Sequence, residues 1–492
     1  MPRFDDNYEP YRTDVPLKKE KLPEPVYEET PELVDLYYKA WELAYEHVLY
    51  REDSPQKHYI DEAMKPQTIW IWDTCFMALY CRYAPDQYPG IESLNNFYFI
   101  MHDRISGAPF KVHHPDNPPL FAWVEWEYFK FTGDVERLRW ILVENKYLQK
   151  HFDFIENARR RKLYRYAGVP LFASKKKYGF KWSGVSSGMD NTPRGRGRYS
   201  WILWLDLAAQ QALSARYIIK IAEVLGRDDL AREFKPKYNY YQNLLNEYYW
   251  DQQDGIYYDI KRFNHSKRSK VTTPAAFWPL LADVPSNQQV KGLLKHLRDP
   301  ESLGGMIPFP TVARNDRDFD PLGQYWRGGV WLPTTYMGIK SLEKYGHLSL
   351  ADSLAEKTLF HILKTYNDYE PHTIWEAYSP VKYEPSTYKK NARIVRPDFC
   401  GWSALGPISL FIENVIGIHQ VSAHERFIKW DIHKKFKHGI KNLKFGEIVA
   451  DLIFEDNNIF TNASEPFMLD VNGNKFDVSK GKNSYFLEGS QQ

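Results

Sequence analysis

Two long segments of this chain are apolar on nearly every side, and no other feature restricts its fold as much. From Trp201 to Leu225 the apolar positions run all round a helix, with Trp201, Trp204, Ala208, Ala212, Ala215 and Ile218 forming only one of its stripes, and Gly226 stands where a helix C-terminus needs a left-handed residue. The stretch from Val330 to Tyr345, closed by Gly346, has the same character. A helix without a polar face must be enclosed by other elements. Amphipathic helices supply the enclosure. Thr30-Pro31-Glu32 reads as a cap, a first-turn proline and a first-turn acid, opening a helix that runs to about Tyr50 with Leu33, Leu36, Ala40, Leu43 and His47 on one side. Pro118-Pro119 opens another, which Gly133 closes. The alternation predicts two concentric rings of helices over residues 30–420, and the lack of a fixed short repeat favours a closed barrel over a solenoid.

From about residue 425 short β-rich runs replace the helical pattern, with turn signals at Asn462-Ala463-Ser464 and at Asp470-Val471-Asn472-Gly473-Asn474. A small C-terminal β-sandwich is expected over 421–492. Residues 1–29, rich in Pro, Glu and Lys, are expected to form an arm that is poorly ordered or wraps the surface. The 492 residues suit one large helical barrel with such an appendage.

Charge excludes some partners. Lys and Arg number 65 against 63 Asp and Glu, a formal net charge of +2, so no global field favours nucleic acid or an anionic membrane. A mean hydropathy of −0.58 and the lack of any apolar run of about 18 residues argue against a membrane span. Cys75, Cys81 and Cys400 form no CxxC pair and are expected to be buried, without disulfides or a zinc knuckle. The opening MPRFDDNYEP has no apolar core of a signal peptide; a cytoplasmic protein is expected, or a periplasmic or secreted one if a signal has been removed. Aromatics make up 16% of the chain, and their faces stack on the C–H faces of sugars as readily as they fill a core.

Five segments carry chemistry. They are Trp70-Ile71-Trp72-Asp73-Thr74-Cys75-Phe76; Asn117 to Trp123; Ser187-Gly188-Met189-Asp190-Asn191-Thr192-Pro193; Tyr325-Trp326-Arg327-Gly328-Gly329-Val330-Trp331; and Trp375-Glu376-Ala377-Tyr378, followed by Phe399-Cys400-Gly401-Trp402-Ser403. In this order they resemble the glycosidases of glycoside hydrolase family 63 and the trehalases, including small bacterial mannosylglycerate hydrolases. The resemblance implies an all-α (α/α)6 catalytic barrel and an inverting, exo-acting α-glycosidase that needs no cofactor. Its substrate would be an α-glucoside or a related α-linked sugar. Glycoside hydrolysis requires one carboxylic acid to protonate the leaving oxygen and one carboxylate on the opposite face of the sugar. By resemblance these are Asp190 as general acid and Glu376 as general base. Asp73 would bind hydroxyls of the reactive sugar, and Arg327 would hold hydroxyls or orient a carboxylate. Trp326 and Trp331 would be stacking walls and Trp402 would close the pocket, with Trp72, Phe76, Trp123, Asn191, Trp375 and Tyr378 completing the sugar site. The N-terminal β-sandwich of the larger family members is missing from this chain, which puts large glycans in doubt as substrates.

Each residue also has an ordinary structural alternative. Asp190 fits a turn that initiates a helix, Asp73 a helix N-cap, Arg327 a buried arginine fixing two loops, and Trp402 core; Glu376 fits a carboxylate paired with Arg393 or Arg396. Arg194, Arg196 and Arg198, with Lys175-Lys176-Lys177, would suit an anionic leaving group if they line the site, and otherwise form a solvated surface. Gln67 and His113-His114 stand as rim ligands. No third ligand follows the two histidines, and neighbours on an extended segment point apart, so no metal is assigned. A sugar epimerase or lyase on a similar barrel would use His or Tyr in place of the carboxylate pair, and a carbohydrate-binding protein would need neither carboxylate. The oligomeric state is not legible.

Overall fold

The computed structural model describes residues 12–63, 65, 67–105, 110–158, 171–388 and 393–487. Six inner segments pack in a ring: Ile71–Cys81, Phe121–Thr132, Leu205–Val224, Trp278–Leu281, Leu332–Glu343 and the pair Trp402–Leu405 and Gly406–Val415. Each lies against the next, and the last lies against the first. Every residue of Ile71–Cys81 and of Gly406–Val415 is buried, as an inner position demands. Outer helices back them. Gly90–Tyr98 lies against Ile71–Cys81, Asp228–Leu244 against Leu205–Val224, Leu348–Asp368 against Leu332–Glu343, and Glu32–Tyr45 against Gly406–Val415. The outer helix Asn287–Arg298 buries only Val290, Leu293, Leu294 and Leu297, and Ser286 and Gln289 form its capping box. The fold is a helical barrel. No helix among the described residues is long and apolar enough to cross a membrane.

Element ends differ from the sequence expectation in two instructive places. The first helix stops at Tyr45, because Val48–Tyr50 leaves to pair antiparallel with His58–Ile60. The long inner helix begins at Leu205 rather than Trp201: Ile202–Leu203 is a strand paired with Ile260–Lys261, and Trp201 projects outward, 55% exposed. β-branched residues with a ladder partner outcompete helix continuation at both sites. Cys75, Cys81 and Cys400 are buried and unpaired.

After the barrel come two sheets. One contains Ile418–Ser422, Phe427–Trp430, Phe467–Val471 and Asn474–Val478; the other contains His438–Phe445, Ile448–Glu455, Asn458–Ala463 and Gly481–Phe486. They face one another through Phe445 on Phe467, with ring centroids 5.5 Å apart, and Phe476 on Tyr485, 4.8 Å apart. Asn472 and Gly473 both have positive φ and turn the last hairpin of the first sheet where the sequence signals a turn. The second sheet gains its edge strand from the N-terminal arm, since Glu24–Tyr27 pairs antiparallel with residues 438–441. The β region starts at Ile418, and the main chain of Ala423 and Gly446 donates to the barrel carbonyls of Lys130 and Phe131 at 2.7 and 2.9 Å.

Candidate active site

The five sequence segments converge at one end of the barrel, and specific contacts explain how. Gly188 has φ +79°, and a Cβ there would lie 2.7 Å from the Trp72 indole, so only glycine lets the Asp190 loop close on the first segment. That loop follows a one-turn helix, Gly184–Ser187, whose cap Ser183 accepts from the Ser186 amide at 3.2 Å. Asp190 therefore lies between this turn and a short 3-10 turn, Arg194–Gly197, whereas the long helix begins only at Leu205. The Asn117 side chain donates to the Ser186 carbonyl at 2.8 Å, which ties in the second segment.

Asn191 ties in the fourth. Its Nδ2 donates to the Gln324 carbonyl and its Oδ1 accepts from the Trp326 amide, both at 2.9 Å, spanning Tyr325. Gln324 and Tyr325 both have positive φ, of 35° and 69°, an unfavourable geometry for side chains that this clamp and the Tyr325 amide bond to Thr387 O at 2.8 Å hold in place. Val330 and Tyr378 exchange two main-chain hydrogen bonds of 2.8 and 3.0 Å, which join the fourth segment to the fifth.

Glu376 is wholly buried and meets three donors. The Tyr325 hydroxyl donates to Oε1 at 3.1 Å, Arg396 Nη2 to Oε1 at 2.9 Å, and the Arg396 amide to Oε2 at 3.3 Å. The Tyr325 phenol is pushed well above its ordinary pKa by burial, and further by the charges of Glu376 and Asp190. Two carboxylates from distant parts of the chain thus act on one hydroxyl. Arg396 Nη2 also reaches Glu62 Oε1 at 2.7 Å, and Glu62 hydrogen-bonds Asp73. Both carboxyls are buried and have raised pKa values, Asp73 most strongly: burial is the main cause, and the charge of Glu62 adds to it for Asp73. Both shifts favour the protonated form, against which the Arg396 guanidinium acts at Glu62. A Cβ on Gly401 would lie 2.6 Å from Glu62 Cγ, so the glycine of the Gly401-Trp402-Ser403 motif makes room for Glu62. Asp73 lies in the first turn of its helix, where Trp70 and not Asp73 is the cap residue.

The aromatic residues mostly fill the site floor. Trp72, Phe76 and Trp123 pack edge to face with one another and with Trp278 across the barrel interior, at centroid distances of 4.8–6.3 Å. Trp326 and Trp331 stack on each other at 4.2 Å and are both fully buried, so they offer no open face to a sugar. Trp402 donates to the Glu376 carbonyl at 3.3 Å, Trp375 is buried beside Tyr369, and the Tyr378 hydroxyl accepts from the Trp375 amide at 3.2 Å. Asp190, Asn191, Gln324, Arg327, Tyr388 and Trp70 keep part of their surface.

Arg327 pairs with Asp318 at 3.2 Å; the cation on Glu376 is Arg396, the pairing that the sequence left open. Arg194 is not a ligand for an anionic leaving group: it is fully buried between Asp206 and Asp259, bonded to Asp206 at 2.6 Å and stacked on Trp204. Arg196 pairs with Asp316 at 2.6 Å, Arg198 lies over Trp201, and Lys175 pairs with Glu156 at 2.9 Å. Gln67 is exposed, and its carbonyl accepts from the Lys111 amide at 2.8 Å. The rings of His113 and His114 do not point apart; they touch at 4.0 Å because His114 adopts φ 49°, and His113 packs on Trp70 at 5.1 Å. Glu62 and Tyr325 were not singled out from sequence. Tyr325 stands inside a quoted motif, whereas nothing around Glu62 marks it.

Residues 65–390 match the family described as mannosylglycerate hydrolase MGH1-like glycoside hydrolase domain. An uncharacterized protein of Borreliella burgdorferi is 24% identical over 448 residues, 87% of this chain and 88% of that protein. A probable mannosyl-oligosaccharide glucosidase of Schizosaccharomyces pombe is 25% identical over 257 residues, covering 48% of this chain and only 30% of its own length. Among solved structures, the GH63 mannosylglycerate hydrolase of Thermus thermophilus has a TM-score of 0.57 at 18% identity, over 76% of this chain and 99% of that one, a likeness of fold. The match over most of the barrel makes this chain a glycoside hydrolase of the mannosylglycerate hydrolase MGH1-like family.

Proposed function

We propose that this chain is an inverting, exo-acting α-glycosidase whose (α/α)6 barrel, residues 30–420, carries a C-terminal β-sandwich. Asp190 protonates the glycosidic oxygen, and Glu376 takes a proton from a water that attacks the anomeric carbon from the other face. The observation that carries this is the Tyr325 hydroxyl, which donates to Glu376 at 3.1 Å and lies in the field of Asp190. Three donors on Glu376 orient a carboxylate for a positioned water. Asp190, partly exposed on a loop, is accessible to a leaving group. The Glu62–Asp73 pair, whose raised pKa values favour the protonated form, offers both a donor and an acceptor to sugar hydroxyls. The names of its relatives, a probable mannosyl-oligosaccharide glucosidase and a mannosylglycerate hydrolase, support a glucoside or mannoside substrate.

The test is hydrolysis of neutral and acidic α-glucosides and α-mannosides by the wild type, Asp190→Asn and Glu376→Gln, with the product anomer followed by NMR. The β-anomer from the wild type, with folded but inactive variants, is expected. Retention of configuration overturns the mechanism, and full activity in either variant overturns that residue's role.

A further inference from the structure

Outside the carboxylate cluster of the site, the last outer helix meets the first sheet after the barrel, and three side chains converge there. Asp352 comes from the helix Leu348–Asp368, His419 from the strand Ile418–Ser422, and His433 from the loop after Phe427–Trp430. One donor atom from each lies within 4.8 Å of the others. His419 Nε2 is 3.4 Å from Asp352 Oδ1, and His433 Nε2 is 3.3 Å from Asp352 Oδ2. Four ligands around a zinc ion at 2.0–2.1 Å in a tetrahedron stand about 3.3–3.4 Å apart; the His433 Nε2–Asp352 Oδ2 separation matches an edge of that polyhedron, and the His419 contact ends on the other oxygen of the same carboxylate.

Buried polar atoms without an aligned hydrogen bond point to the same place. The His419 side chain is 4% exposed, and its ring nitrogens face carboxylate oxygens at 3.4–3.8 Å without forming one; Asp352 Oδ2, 3.3 Å from His433 Nε2, forms none either. Buried nitrogen and oxygen lone pairs are rarely left in this state. The surroundings resemble the outer shell of a metal centre. Asn414 Nδ2 donates to Asp352 Oδ1 at 2.9 Å, leaving Oδ2 for another partner, and Glu343 Oε1 lies 3.7 Å from His419 Nδ1, the carboxylate–histidine arrangement that orients a metal-bound imidazole. Asp431 Oδ2, 3.8 Å from His419 Nε2, adds negative charge.

We infer that Asp352, His419 and His433 form a binding site for a zinc-type divalent ion that fastens the outer ring of the barrel to the C-terminal β region. Two imidazoles and one carboxylate favour zinc over magnesium or calcium, which take oxygen ligands. Water completes the coordination, since His433 is 46% exposed on its side chain and leaves a path from solvent. The ligands hold the ion without a role in glycoside hydrolysis.

The full chain, untagged and stripped with a chelator, is titrated with zinc sulfate by calorimetry, and its thermal unfolding is followed with and without the metal. One zinc per chain and a raised Tm are expected. His433→Ala, an exposed position whose loss leaves the core intact, and Asp352→Asn, which keeps the side-chain shape, each weaken binding about 100-fold or more and abolish the rise in Tm. Glu343→Gln weakens binding about 10- to 100-fold, as loss of outer-shell partners does. Glycosidase activity of His433→Ala stays at the wild-type level. Failure of the wild type to bind zinc, with His419 seen by NMR as a protonated imidazolium held by its carboxylates, overturns the inference. So does equal affinity in wild type and both ligand variants.

Discussion

Tyr325→Phe removes one atom from the centre of the site, and its effect follows from the contacts of that atom. The hydroxyl donates to Glu376 Oε1 at 3.1 Å in a position that is only 8% exposed, so no water replaces it freely. The ring stays, with its edge-to-face contacts to Trp331 at 4.6 Å and Tyr388 at 4.7 Å, and Asn191 still clamps the backbone on both sides. The change therefore removes the hydroxyl's hydrogen bond to the Glu376 carboxylate while the ring packing is kept. Such bonds contribute about 1.5–3 kcal/mol. At about 1.4 kcal/mol per decade, this predicts a fall in kcat of about 10- to 150-fold. Because the lost donor served the base and not the sugar, KM changes little. Initial rates over a range of substrate concentrations, with Tm as the control for folding, separate kcat from KM. A variant within twofold of wild type in kcat refutes the role assigned to this hydroxyl.

Two further substitutions probe the charges around it. Asp73 has a raised pKa in the native state, so the folded protein keeps a proton that the unfolded chain gives up above about pH 4. Its stabilising contribution is complete below that range and is lost as pH rises through the native pKa. Asp73→Asn cannot ionise; its Tm exceeds that of wild type by a margin that grows from pH 4 to pH 8, while kcat/KM falls, and a margin independent of pH would refute this. Arg194→Met leaves Asp206 and Asp259 buried without their cation and lowers stability by about 3–5 kcal/mol in urea unfolding. The preference for anionic over neutral leaving groups stays the same; a selective loss with acidic substrates would restore Arg194 as a ligand.

Much of the barrel was legible because its signals are local. All-round apolar helices, caps and closing glycines depend on residues three or four apart, and Leu205–Val224 and Leu332–Glu343 appear where those patterns lie. The errors arose where a distant partner decided the outcome. Val48–Tyr50 and Ile202–Leu203 leave their helices for strands contributed by other segments. The site follows the same division. Asp190 and Glu376 were singled out because they sit in motifs with a known resemblance, whereas Glu62 meets Asp73 and Arg396 only in space. Trp326 and Trp331 were recognised as aromatic walls, but no sequence pattern states that they stack on each other and hide both faces. Arg194 was misjudged for a related reason: a basic run looks solvated until its carboxylates, 12 and 65 residues away, are seen to bury it.

The separation between acid and base in an inverting glycosidase is itself a functional quantity, since the two carboxyls must leave room for a water. In the mechanism proposed for this chain one short mechanical route fixes it. Asp190 is bonded covalently to Asn191; the Asn191 amide grips Gln324 and Trp326; between them stands Tyr325, whose hydroxyl holds Glu376. The positive φ angles of Gln324 and Tyr325 are retained because that grip holds them, which is how a strained backbone persists at a working site. On the other side Arg396 links Glu376 to Glu62 and so to Asp73, which the resemblance places against the sugar. In the proposed reaction the sugar-binding carboxyl, the base and the acid loop therefore form one connected frame. The Arg396 guanidinium is the link from the Glu62–Asp73 pair to Glu376, and the Tyr325 phenol the link from the Asp190 loop to the same carboxylate.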